Sequence, residues 1–218
     1  MTFPTVTVQV AFDKRISETA ADGDFTTITT ANPVRQFVIK RGKSHVLDFS
    51  AQAGTAIFGF DDANGNLDPE NTSSPYYDSG AGKTKVVPMR HIRIHAVDPA
   101  TSSGYYLFRG FIEGWESNYG KSGLDQVAKC TAVDAFKAFS LAKGDGTVEA
   151  QEGSGQRLID LVTMSGFPIA AASISADVTD QTVPEKKYTL DLDLLPQMQD
   201  VDTAEVGFFY VSRSNVTT

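Results

Sequence analysis

"GYYLFRGFIEGWESNYG", residues 104–120, and "GLDQVAKCTAVDAF", residues 123–136, stand on either side of a turn between Gly120 and Gly123. Aromatic residues crowd the first stretch, and the pair reads as a long hairpin suited to the wall of a barrel or sandwich. The period-two pattern recurs outward from it. In FPTVTVQVAF, residues 3–12, Phe3, Val6, Val8 and Val10 alternate with Thr5, Thr7 and Gln9. NPVRQFVIKRG (32–42) follows the Thr-rich FTTITTAN, and GTAIFGFDD (54–62) comes next. MRHIRIHAV (89–97) sets Ile92, Ile94 and Ala96 on one face against His91, Arg93 and His95 on the other. Strands so regularly spaced, with Gly, Asn and Pro turns between them, predict a mainly β fold whose first domain is an antiparallel β-barrel or sandwich.

The period changes at Asp134. A residue of N-cap type is followed by Phe136 and Phe139 at helical spacing, and Gly144 and Gly146 end the run, so a short helix closes the first domain. The stretch 144–155, GDGTVEAQEGSG, is rich in Gly and acidic residues and reads as a linker. Beyond it, Leu158, Leu161 and Val162 form a buried helical stripe ended by Gly166 and Pro168. A second helix fits within Leu190 to Val206, provided Pro196 lies in its first turn. GFFYVSR (207–213) reads as a strand with no visible partner, which further chain or a neighbouring copy would complete. The expected organisation is therefore residues 1–143 as the β domain, 144–155 as linker and 156–218 as a smaller α+β module.

The composition, 218 residues with 41% hydrophobic, supports one large core or two modest ones. Its single cysteine, Cys130, closes no internal disulfide and reads as a core residue. A net charge of -8 argues against a dedicated nucleic-acid binder, which needs a basic face to neutralise phosphates. The sequence has no apolar run near the roughly 18 residues of a membrane span, and its first residues carry no secretion signal, so synthesis in a cytoplasm is expected.

Chemistry-bearing motifs are mostly near misses. DDANGNLDPENTSSPYY (61–77) puts Asp62, Asn64, Asn66, Asp68 and Glu70 at alternate positions, yet counting from Asp62 an EF-hand's Gly and bidentate Glu positions hold Leu67 and Ser73. The better reading is a polar connection whose side chains satisfy their own backbone and whose Gly65 takes a positive φ. Ser79 to Thr84, SGAGKT, ends like a phosphate-binding loop but has Tyr77 where the first Gly belongs, and reads as a loop. His91 and His95 lie roughly 13 Å apart along a strand, too far to share a metal, and read as surface residues. Glu113 and Glu116 flank Trp115, but strict alternation would send the two carboxylates to opposite faces. Asn71 and Asn215 head glycosylation motifs that carry no weight without a secretion signal. No catalytic, cofactor or metal residues are expected, and the binding residues are unknown at this stage.

The order of the segments is more telling. An Arg41-Gly42 strand precedes an aromatic strand that ends in a connection with Asp62, Asp68, Pro69, Asn71, Ser74, Pro75 and Tyr76. Pro88, Met89, Ile92, Arg93 and Ile94 follow, then Leu107, Phe108, Gly110 and Ile112, then the helix Val133 to Lys137. Over about residues 35–142 this order resembles the N-terminal part of minor tail proteins of long-tailed bacteriophages, particularly those of actinobacterial hosts. Residues 153–213 resemble the next module of those proteins more loosely. The resemblance implies a non-enzymatic structural virion protein at the distal end of the tail, a tail-tip or baseplate hub. Such a hub continues and closes the tail tube and connects it to the host-recognition apparatus. It implies a homo-oligomer, a trimer before a hexamer, that contacts the tail tube, the distal tail protein, the tape measure and further tip proteins. Genomic DNA would pass it without specific binding, which an acidic wall favours. No cofactor is implied. The alternatives are a distal tail ring protein, a glycan-binding β module using Tyr76, Tyr77, Tyr105 and Trp115, and, least favoured, a cell-wall hydrolase.

Overall fold

The computed structural model describes residues 4–42, 52–119, 126–166 and 182–204. A seven-stranded sheet dominates it. Its strands are β1 (Thr5–Arg15), β2 (Thr26–Thr27), β3 (Val34–Gly42), β4 (Gln52–Asp61), β7 (Arg90–Val97), β8 (Gly104–Asn118) and β9 (Val127–Val133), with Tyr77–Asp78 (β5) and Lys83–Thr84 (β6) forming a separate small hairpin. The order across the large sheet is β2-β1-β7-β8-β9-β4-β3, and each pair whose register is described runs antiparallel. The expected hairpin is thus β8 against β9, with Trp115 opposite Cys130; its turn, residues 120–125, lies outside the described residues.

The mainly β fold with a large antiparallel sheet is as expected; of the expected barrel or sandwich, no closed barrel is seen, since among the described residues no pair joins β2 to β3 of that sheet. The reason is at its short end. β2 is two residues long and meets β1 only at Gln9 and Val10, too brief a ladder to hand the sheet on.

Alternation builds the core on one face. Val8, Val10 and Phe12 of β1, Ile92 and Ile94 of β7, Phe108 and Ile112 of β8, Phe58 and Phe60 of β4 and Cys130 of β9 pack together, all essentially buried. Each such aliphatic or Phe side chain stabilises the fold by about 1.5–3 kcal/mol on burial. Cys130 is a core residue as expected, and burial pushes its thiol far above the ordinary range. A bulge between Ile112 and Gly114 then breaks the alternation in β8. As a result Ile112 and Trp115, three residues apart, both pack on the core, with the Trp115 ring 6.3 Å from Phe60. Glu113 and Glu116 are both exposed, and Glu116 pairs with Lys129 at 3.0 Å, so the carboxylates are not divided by the strict alternation assumed from sequence. Gly110 lies where β8 and β9 touch: a Cβ there would sit 2.1 Å from the Val133 carbonyl oxygen, so only glycine fits.

The opposite face of the sheet is also covered in part. His91, expected at the surface, is 2% exposed. Its ring stands edge-on to Phe111 at 4.8 Å, and its Nε2 lies 2.9 Å from the Arg15 carbonyl, so that nitrogen carries the proton and donates. The chain leaving β1 through a single 3-10 turn, Asp22–Asp24, brings Phe25 against this face, a cover that strand periodicity cannot announce.

The chain divides into two units, and the second holds Ala135 onward. Helix α1 (Ala135–Leu141) therefore belongs to it, with Phe136 and Phe139 buried as their spacing predicts. Residues 144–155, expected as a linker, carry β10 (Val148–Glu149) and β11 (Glu152–Gly153), which pair with β13 (Lys186–Lys187) and β12 (Thr182–Val183). Helix α2 (Ser154–Met164) buries Leu161 and Val162, and Gly166 at φ 66° follows its end. Helix α3 (Leu194–Ala204) packs against α1 and α2 and holds Pro196 in its first turn. Arg157 of α2 is 1% exposed. It pairs with Glu152 and donates to Tyr188 Oη at 3.0 Å, to the Ala150 carbonyl at 2.7 Å and to the Pro184 carbonyl at 3.2 Å. The predicted strand at 207–213 falls outside the described residues.

Candidate functional site

The acidic connection between β4 and β5 is a chain of turns. Backbone N–H groups donate three residues back, Gly65 to Asp62 at 2.8 Å, Asp68 to Gly65 at 3.2 Å, Asn71 to Asp68 at 3.2 Å, Ser74 to Asn71 at 3.1 Å and Tyr77 to Ser74 at 3.0 Å. Gly65 takes φ 64°, as its place in the turn predicts. The side chains serve the same backbone. Asp62, fully buried, accepts from the Leu67 N–H at 3.0 Å and from Asn32 Nδ2 at 2.7 Å. Asp68 accepts from the Glu70 N–H at 3.0 Å and from the Tyr119 hydroxyl at 2.7 Å. Asn71 accepts from the Ser73 N–H at 2.9 Å and donates to the Gly65 carbonyl at 2.8 Å; the Ser74 hydroxyl donates to the Asn66 carbonyl and accepts from the Tyr76 N–H at 3.1 Å.

These are Asx and ST turns, which explain why Asp, Asn and Ser stand at these positions. Two apolar anchors fix the connection to the sheet: Leu67 enters the core, and Tyr76 stacks on Phe12 with ring centroids 4.3 Å apart. Burial is the main reason the Asp62 carboxyl is raised above its ordinary range, outweighing the N–H donors that favour its charge. The hydrogen bond to Asp68 raises the Tyr119 phenol in turn. Downstream, SGAGKT is the tip of the β5–β6 hairpin. Asp78 Oδ1 accepts from the Gly80 and Ala81 N–H groups, each at 3.0 Å, so this loop's amides are turned on its own carboxylate rather than on a phosphate.

The aromatics considered for glycan binding do not share one environment. Tyr105 is exposed, Tyr77 is half-buried, Tyr76 is committed to Phe12, and Trp115 is packed on the core. Among the described residues, Glu149, Glu152 and Asp160 of the second unit bring ligand oxygens within 4.8 Å of one another, a grouping the sequence reading passed over. Glu152 is already engaged by Arg157.

The polar face of β7 was legible as a pattern but not as a site. Arg93, beside His91 and His95, is 7% exposed; its Nε donates to Gln9 Oε1 at 2.6 Å, and it pairs with Asp22. The hydrogen bond that Arg93 donates to Asp22, with the Arg93 charge, holds the Asp22 carboxyl below its ordinary range. His95 lies 5.2 Å from the Tyr106 ring on the same face.

No family model matches the chain, and no curated protein matches it. Among solved structures it is similar to the 43 kDa tail protein of prophage MuSo2 from Shewanella oneidensis, with a TM-score of 0.47 and 10% identity over 91% of this chain. The match covers 48% of that protein, so this chain spans about half its length.

Proposed function

We propose that the chain is a structural protein of a bacteriophage tail, a tail-tip hub that continues and closes the distal tube and joins it to the host-recognition apparatus. The observation that carries this reading is the order of the segments that resemble minor tail proteins. Up to Val133 those segments are parts of one sheet and its pinned connection, the last of them continues into helix α1, and their signature residues are used by the fold. Asp62, Asp68, Asn71 and Ser74 build the turns, Tyr76 anchors them, and Gly110 admits the β9 backbone.

A protein so built acts through its surfaces. β3, the outer strand of the sheet among the described residues, exposes Phe37 and Val38 at 43% and 51%, apolar area that a subunit contact would cover. In this reading the chain performs no catalysis and forms a trimer in preference to a hexamer. It contacts tail-tube, distal-tail, tape-measure and further tip proteins in the virion. Electron microscopy of particles carrying the chain tests this: a trimeric ring at the distal end of the tail is expected. A hexamer would make it a distal ring protein, and absence from the particle would end the reading.

A further inference from the structure

Arg93 of β7 and Arg109 of β8 are register partners, directly opposite across the two strands, and each is 7% exposed. Like charges so placed repel, and burying them costs hydration that must be replaced. Part of the replacement is aromatic. The Phe25 ring lies 4.0 Å from the Arg93 guanidinium carbon and 5.7 Å from that of Arg109, and the Tyr106 ring lies 5.7 Å and 5.9 Å from the same two atoms. Gln9, Asp22 and the Tyr106 hydroxyl, at 3.5 Å, serve Arg93. Arg109 receives none of this: among the described residues its guanidinium has no hydrogen-bond or ion-pair partner, and its Nε is fully buried and unpaired. Burial, together with the Arg93 charge, lowers its proton affinity. Asp22, itself 80% exposed, pairs with Arg93 alone, so a single carboxylate stands beside two cations.

A planar fork with unused donors beside a second guanidinium, over an aromatic plate, is the geometry that takes a carboxylate or phosphate through paired N–H bonds. We propose that Arg93 and Arg109, with Phe25 and Tyr106, form a binding site for one oxyanion, and that a carboxylate of a second copy of this chain supplies it on assembly. The choice of a second copy rests on the hub reading and on charge. The chain carries 27 acidic against 19 basic residues, so another copy offers carboxylates in excess, and this pair is a local complement to them.

Thermal unfolding with inorganic phosphate replacing chloride at constant ionic strength tests the site in the full chain, Arg109→Met and Arg109→Lys. Arg109→Met removes an unpaired buried charge and is expected to fold and to unfold at a higher temperature than wild type without phosphate. Wild type is expected to gain roughly 5 °C at phosphate a hundredfold above its Kd, Arg109→Met nothing, and Arg109→Lys less than half the wild-type gain. Equal gains in all three would overturn the site. Sedimentation of wild type across the same titration separates the sources. Phosphate that dissociates self-associated chain supports the second copy, whereas phosphate that binds without changing association keeps the site and overturns that source. A chain missing from the tail tip would remove the hub reading and leave the phosphate titration unaffected.

Discussion

Gly110 and Asp62 show how single residues carry this fold by opposite means, one through the absence of a side chain and the other through a charge the interior tolerates poorly. At Gly110 an added methyl would have to displace the Val133 backbone, 2.1 Å away, rather than a flexible side-chain tip. Gly110→Ala is therefore expected to cost about 3 kcal/mol or more, or to prevent folding, and urea unfolding reads it directly. Asp62 acts through pH. Its folded carboxyl is raised, chiefly by burial, so between about 3.9 and that raised value the folded chain binds more protons than the unfolded one. Stability then falls as pH rises through the interval, and the full cost of the ionised carboxylate is present above it. Asp62→Asn removes the titration while giving up an acceptor for either Leu67 or Asn32. Wild type should gain on the variant as pH is lowered into the interval; a difference in melting temperature independent of pH would show that burial does not govern this carboxyl.

At the scale of elements, the bulge in β8 and the arginine of α2 each hold a piece of structure in register. Deleting Glu113, the residue that the β8–β9 register skips, would straighten the strand and leave Ile112 and Trp115 two residues apart, both still on the core face with Trp115 opposite Cys130. As the chain has a single tryptophan, its emission in that variant should stay at the wild-type wavelength. Emission shifted to longer wavelength would mean that the bulge itself, rather than the β8–β9 register, sets the face that Trp115 takes. Arg157→Met would leave Glu152 and Tyr188 without their partner, at a cost of about 3–5 kcal/mol for breaking a buried pair. Hydrogen exchange should quicken across α2 and the pairs β10–β13 and β11–β12, and uniform protection there would refute the clamp. These elements also show what was legible in the sequence. The strands of the sheet were readable because a one-sided core imposes period two, and the Asn, Asp and Ser turns because those side chains act within a few residues. The bulge was not, since a one-residue insertion leaves the composition of the strand unchanged. Neither the burial of His91 nor the Arg93–Arg109 pair was readable, because both depend on which strands lie side by side and on Phe25 arriving from outside them. Arg157 was hidden for the same reason, since Tyr188 is 31 residues away.

For the whole molecule the deciding quantity is charge. With a net charge of -8, the chain repels a phosphate backbone at long range, and its paired guanidiniums lie almost wholly beneath the surface, where a duplex cannot align its phosphates on them. A wall past which DNA moves needs this combination, because a protein that neutralises several phosphates holds DNA at physiological salt. The chain is therefore expected to bind duplex DNA more weakly than about 10⁻⁴ M at roughly 150 mM salt, below the ordinary range of non-specific binders. Gel retardation should show free duplex with wild type and with Arg109→Met alike. Retardation at micromolar protein would mean that a basic face exists which the net charge conceals, and it would remove the electrostatic support for a tube through which the genome passes.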